Sequence, residues 1–218
     1  MNFALERNVV GFFPEGRTLK SGLVSHWYAN WRTVTEDVYG IDRLSRFVLE
    51  FVDSLVADKS ISGYNEIVGV PEGATKLAVI SNYIRACESG SLSPGSHPLP
   101  MMRGQSKRHG DPKDMHFLGV PTSPTVILED VTTTGGSLLE SVVKLLDSHI
   151  IIGSAITLLD RLQEDVKSRL KVLDVPFYRM STAEELLPLA YQRLNPGIEV
   201  ARKIEAEYKG LGRQIKLV

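Results

Sequence analysis

The sequence predicts an α/β fold, a mostly parallel central sheet flanked by helices, and three observations carry that expectation. Between positions 125 and 159 an apolar strand, a small-residue turn, an amphipathic helix and a second apolar strand follow one another. Strands joined by a helical crossover of that length run parallel, with a right-handed connection. Strand and helix patterns go on alternating on both sides of this unit. Composition agrees: 43% hydrophobic and 23% charged residues over 218 positions describe a single globular domain spanning 1–218, not a disordered or fibrous chain.

The helical periodicity starts near Gly40, where Ile41, Leu44, Phe47, Val48, Phe51, Val52, Leu55 and Val56 recur at three- and four-residue steps to form one apolar stripe. Residues 66–70 (EIVGV) read as a short buried strand closed by Gly-Val-Pro. A helix follows over about 73–88, and Cys87, in its interior, is assigned to packing. Residues 88–100 form a loop rich in Ser, Gly and Pro, and 99–103 a short strand. The polar run 104–121 has neither helical nor strand periodicity, and a loop of that length in a compact domain is usually functional or disordered. Residues 125–128 (TVIL) form the next strand, with Glu129 and Asp130 at its carboxyl end. A turn over 132–137 leads into a helix marked by Leu138, Leu139, Val142, Val143, Leu145 and Leu146. The strand at 150–159 ends in Asp160-Arg161. A helix near 164–173, a strand at 176–180 and helices near 182–194 and 198–208 complete the reading. Ligands of parallel sheets bind beyond the carboxyl ends of the strands, so 69–76, 129–137 and 160–161 converge on one edge.

Several classes of function are disfavoured. With 25 Lys+Arg against 26 Asp+Glu the net charge is -1, so no chain-wide basic surface is available for nucleic acid. MNFALERNVV has no basic segment followed by a long apolar core, and no stretch approaches the roughly 18 apolar residues of a membrane span. A single cysteine forms no internal disulfide, which points to a reducing, cytoplasmic setting. His26, His97, His116 and His149 show no metal-ligand spacing, so no metal site built from protein ligands is expected.

The chemistry concentrates in Val126-Ile127-Leu128-Glu129-Asp130-Val131-Thr132-Thr133-Thr134-Gly135-Gly136-Ser137. A buried strand delivers two carboxylates and then turns tightly through Thr and Gly into a helix. Free N–H groups, the helix dipole and the hydroxyls would together hold a phosphate monoester. The two acids would repel a phosphate but suit hydroxyl groups such as those of a ribose, so a sugar 5-phosphate is implied. The plainer alternative is a helix N-cap in which Thr and Ser satisfy the first N–H groups and the acids are solvated. Arg161 likewise admits two readings: an ion pair at the sheet edge, or a planar guanidinium meeting a carboxylate in bidentate fashion. Lys20, Lys107 and His109 could be solvated surface groups. The Trp27–Trp31 aromatic cluster is either core or ligand pocket.

VILEDVTTTGGS resembles the 5-phosphoribosyl-1-pyrophosphate (PRPP) motif of the type I phosphoribosyltransferases. Three further segments resemble the orotate-using members of that family: Thr18-Leu19-Lys20-Ser21-Gly22 with Ser25, Met102-Arg103-Gly104-Gln105-Ser106-Lys107-Arg108-His109-Gly110, and Asp160-Arg161-Leu162-Gln163. Gly69-Val70-Pro71-Glu72-Gly73-Ala74 resembles the family's pyrophosphate loop. Gly104 stands where a second lysine is usual, and His26 where proline is usual.

The resemblance implies the type I phosphoribosyltransferase fold with a small N-terminal hood contributed by about 1–40, and a mobile catalytic loop over 104–121. It implies transfer of phosphoribosyl from PRPP to orotate, giving orotidine 5′-monophosphate and pyrophosphate. Lys107, Asp130 and His109 are the implied catalytic residues. Arg103, Lys107, His109, Glu72, Gly73, Glu129, Asp130, Val131, Thr132, Thr133, Thr134, Gly135, Gly136 and Ser137 are implied to bind PRPP, and Lys20, Thr133 and Arg161 orotate. Mg2+ is implied as a cofactor bound mainly through PRPP, and a homodimer with shared active sites as the active species. Two other readings stay open: a type I enzyme for another nucleobase, and a PRPP- or nucleotide-sensing homologue without turnover.

Overall fold

The computed structural model describes residues 1–19, 22–105 and 115–218. Its centre is a four-stranded, wholly parallel sheet in the order β3-β6-β7-β8, formed by Glu66–Gly69, Thr125–Thr132, Ile152–Asp160 and Phe177–Arg179. The α/β expectation is borne out. β6 and β7 are near-continuous apolar runs because both their faces are covered. Val126 and Leu128 face one core with Ile156 and Leu158, while Ile127 and Ala155 face the other.

Helices cover both faces. On the first lie α2 (Val38–Ala57), α3 (Thr75–Glu88), α6 (Ala183–Leu194) and α7 (Ile198–Gly210), sharing a core through Leu44, Val48, Leu77, Leu187 and Ile204. On the second, α4 (Gly136–Asp147) and α5 (Val166–Val172) bury Leu138, Val142, Leu145, Val166 and Leu170. Among the described residues no helix is long and apolar enough to cross a membrane.

Three parts differ from the sequence expectation. Before α2 stand a short helix α1 (Asn2–Glu6), an antiparallel hairpin of β1 (Val10–Thr18) and β2 (Val24–Ala29), and a 3-10 turn (Trp31–Glu36). Pro14, Gly16 and a register shift between Phe12 and Arg17 break the alternation that would announce β1. The polar run after Gly104 contains a strand after all: β5 (Phe117–Leu118) pairs antiparallel with β4 (Met101–Met102), two residues each and too short to show a period. Cys87 is exposed, not packed, because it lies in the last turn of α3, off the stripe of Leu77, Ala78, Ser81 and Ile84 that faces inward.

α4 is held by one face only, so its placement at the end of β6 depends on three fully buried side chains, Leu138, Val142 and Leu145. Leu145→Ala should cost about 2–5 kcal/mol of unfolding free energy, read by urea denaturation with the m-value unchanged. A loss well below 1 kcal/mol would mean that α4 does not depend on this contact.

Candidate active site

β6 ends in register with β7, Thr132 opposite Asp160, and a single bridge continues from Asp160 to Thr182. The chain therefore leaves the sheet along one carboxyl edge, where α3, α4, α5 and α6 begin. Two of these helices are capped by their own side chains. Asp165 accepts from Ser168 N at the start of α5, and Thr182 forms a capping box with Glu185 at the start of α6. The other two, α3 after Ala74 and α4 after Gly135, have no side-chain cap. The plainer reading of the Thr/Gly turn as a self-capped helix start thus fails. Among the described residues no side chain caps the N–H groups at the start of α4.

Those two uncapped starts border one cavity of about 760 Å³. Glu72, Gly73, Glu129, Asp130, Val131, Thr133, Thr134, Gly135, Gly136, Ser137 and Arg161 all line it, so residues up to 89 positions apart meet in one place. β6 runs on past the expected end at 128 to Thr132, so Glu129 (buried) and Asp130 (half-buried) lie within the strand. Gly73 approaches Asp130 so closely that a Cβ at 73 would be driven into its carboxylate. Gly135 has φ +72, and a Cβ there would stand 2.8 Å from Val166 Cγ2. Only glycine lets the turn wind left-handed against α5. Arg169 from α5 donates to the Thr134 carbonyl at 2.7 Å, which pins the turn from outside.

Two implied residues stand apart from the cavity lining. Thr132 is buried, its hydroxyl donating to Leu159 O at 3.4 Å and its carbonyl accepting from Arg161 N at 2.9 Å. Arg103 sits beyond β4, its N–H donating to His116 O at 2.8 Å. Lys20, Lys107 and His109 lie outside the described residues. Sequence reasoning missed Arg32 and Glu140 and gave no individual role to Leu19, Tyr28, Ala29, Pro71 and Gln105, which lie inside segments it singled out; all line the cavity. For Leu19, Tyr28 and Ala29 the signal was weak because no periodicity marked the hairpin.

Arg161 is not half of an edge ion pair. Asp160 instead pairs with Arg179 at 3.3 Å and accepts from Leu162 N at 2.8 Å; burial raises its pKa, against the pull of these two partners. Arg161 is only 1% exposed, its guanidinium stacked 4.2 Å from the Trp27 ring centroid. Its Nη2 donates to Ser25 Oγ at 2.7 Å and, more distantly, to Trp27 O at 3.4 Å, while Nε finds no partner among the described residues. Burial pulls its pKa down from the ordinary guanidinium value. Trp27 is thus core, and of the Trp27–Trp31 cluster Tyr28 and Ala29 line the cavity. The Trp27 ring is buried, yet it carries a cation that reaches the cavity. Among the described residues no group of three or more His, Cys, Asp or Glu is placed to hold a metal ion.

The chain is similar to known proteins over most of its length. No protein-family model matches the chain. It is 26% identical over 199 residues to uridine 5′-monophosphate synthase of Caenorhabditis elegans, covering 87% of this chain and 37% of that protein. The chain therefore spans little more than a third of that relative. It is 27% identical over 186 residues to orotate phosphoribosyltransferase of Methanosphaera stadtmanae, covering 85% of this chain and 93% of the relative. The crystal structure of orotate phosphoribosyltransferase from Francisella tularensis superposes with a TM-score of 0.64 at 18% identity, over 96% of each chain.

The uncapped turn generates a direct test. Gly135→Ala forces a left-handed alanine against Val166, and should cost about 1–2 kcal/mol of stability. It should also weaken binding of ribose 5-phosphate at least tenfold by titration calorimetry. Unchanged affinity in the folded variant would remove the turn from phosphate recognition.

Proposed function

We propose that this chain, whose fold is that of the type I phosphoribosyltransferases, transfers the 5-phosphoribosyl group of PRPP to orotate, giving orotidine 5′-monophosphate and pyrophosphate. The observation that carries the reading is the juxtaposition in one cavity of an uncapped helix start, a pair of carboxylates and a buried guanidinium. Each of these groups answers one part of the two substrates.

The 5′-phosphate is assigned to the turn 133–137, where main-chain N–H groups and the dipole of α4 meet an anion without competing caps. Glu129 and Asp130 at the end of β6 then accept hydrogen bonds from the ribose hydroxyls, and their charge favours the cationic anomeric carbon as the bond to pyrophosphate lengthens. The uncapped start of α3, with Gly73 and Glu72 beside Asp130, lies where the pyrophosphate would depart. By resemblance Arg103, Lys107 and His109 supply its positive partners. Orotate is assigned to the far side, between Tyr28, Arg32 and Arg161, with Thr133 beside it; Lys20 joins this set by resemblance. A planar carboxylate fits the Nε of Arg161, which has no partner among the described residues. No covalent intermediate is required, since the work is positioning and charge stabilisation.

Mg2+ is proposed to enter with PRPP. The oxygen donors at the cavity, Glu72, Glu129 and Asp130, suit a hard cation, but no set of described residues is arranged to hold one alone. Its role would be to neutralise charge on the pyrophosphate. A cytoplasmic location is proposed on the strength of the single, exposed, unpaired cysteine.

A turnover assay tests the reading. Loss of orotate absorbance should require both PRPP and Mg2+, and competing nucleobases should leave it unaffected. Asp130→Asn should keep the fold and lower kcat/KM by about tenfold or more, equivalent to about 1.4 kcal/mol of transition-state stabilisation. Normal kinetics in that variant would end the ribose-contact assignment, and turnover of another base alone would reassign the acceptor.

We further propose that the active species is a homodimer with shared sites. Gly104 and Gln105 line the cavity, and the resemblance implies that the loop they begin reaches over the partner's site. A twofold dimer contributes the same patch twice. Mixing Lys107→Ala with Asp130→Asn under subunit exchange should restore up to about a quarter of wild-type activity, because about half the dimers are hybrids with one intact site. No recovery after confirmed exchange would assign the loop to its own subunit.

A further inference from the structure

Arg161 raises a problem that its own surroundings answer only in part. A guanidinium buried to this depth is costly unless a counter-charge and hydrogen bonds accompany it. Its sequence neighbour Asp160 is committed to Arg179 and Leu162 N. The anion that faces it comes instead from the other end of the chain, through a hydroxyl. Ser25 Oγ accepts from Arg161 Nη2 at 2.7 Å and stands 3.0 Å from Glu207 Oε2, to which it can donate. Glu207 Oε1 is fixed in turn by His26, accepting from its backbone N–H at 2.8 Å and contacting its ring Nδ1.

The next residue of α7 grips the same arginine from behind. Tyr208, fully buried, donates its hydroxyl to the Arg161 carbonyl at 3.0 Å. One turn of α7 therefore holds Arg161 twice, through the side chain by way of Ser25 and through the main chain directly. Neither Glu207 nor Ser25 lines the cavity. Among the described residues they reach the cavity through Arg161 and the β2 backbone.

Building on the orotate reading above, we propose that Glu207 is a positioning residue. Through Ser25 it holds the Arg161 guanidinium against Trp27 in the orientation that meets the acceptor's carboxylate, so the C-terminal helix tunes acceptor affinity while leaving PRPP recognition untouched. His26 belongs to this arrangement, because it orients the Glu207 carboxylate toward Ser25. The phosphate turn 133–137 is held separately, by Arg169 and by Gly135 lying close to Val166, from the opposite face of the sheet.

The test is Glu207→Gln, which keeps size and shape but removes the charge, measured with each substrate varied in turn. KM for orotate should rise about tenfold, KM for PRPP should stay within about twofold, and the melting temperature should fall by no more than a few degrees. Ser25→Ala, a smaller change that breaks the same link, should give the same split. The double variant should be little worse than the stronger single one, since both remove one connection. A general loosening of the fold would raise both KM values together, and that result, or two unmoved KM values, overturns the proposal. So does full additivity of the two substitutions. An inactive wild type with orotate would instead overturn the functional reading on which the proposal rests, whereas an active wild type with an unmoved Glu207→Gln overturns the positioning role alone.

Discussion

The turn from β6 into α4 must hold its backbone N–H groups in order without a side-chain cap from the described residues, and much of the surrounding structure follows from that constraint. An uncapped helix start forgoes about 1 kcal/mol that an N-cap side chain supplies. The chain uses caps freely elsewhere on the same edge, at Asp165 and Thr182. Their absence at α3 and α4 is therefore positional, not a general weakness of the sequence. Order comes from outside the turn. Leu138, Val142 and Leu145 fix the helix, Val166 presses on Gly135, and Arg169 ties down the Thr134 carbonyl. The turn is rigid without spending its own donors.

The opposite wall of the cavity is built on a different principle. There a cation is buried, and the protein surrounds it with a ring face, a hydroxyl and a distant carboxylate in place of a direct ion pair. A directly paired arginine would offer a ligand little, because its charge and its donors would already be engaged. With Ser25 interposed, the anion stands near enough to offset burial while Nε keeps no partner among the described residues. The arrangement also joins three parts of the chain that share no sheet: the hairpin, the end of β7 and the last helix.

These two walls were unequally legible in the sequence. The phosphate wall is mostly local: strand, acids, turn and helix occupy positions 125–147 and carry a periodic or compositional trace, whereas the contacts from Val166, Arg169 and Gly73 do not. Within that stretch the exception is the Thr132 hydroxyl, which turns toward Leu159 because residue 132 is still in strand register and points into the sheet. The other wall rests on contacts 136 and 182 residues apart in sequence, Arg161 to Ser25 and Ser25 to Glu207. No window of residues contains them. β2 does alternate, with Ser25, Trp27 and Ala29 inward, but a strand whose inward set begins with serine carries no hydrophobic signal. Ser25 is inward because of its partners, and those partners lie elsewhere in the chain.

The same division bears on how the chain compares with its relatives. A wall made of main-chain donors and glycines constrains backbone shape, which survives extensive side-chain replacement; the fold superposes at 18% identity. A wall made of side chains from three separated segments must change in concert, since replacing one partner leaves a buried charge without its offset. His26 fits this logic. Both its backbone N–H and its ring contact Glu207. A proline at 26 would have no N–H to donate. These contacts tie β2, near the N-terminus, to the helix at the other end of the chain.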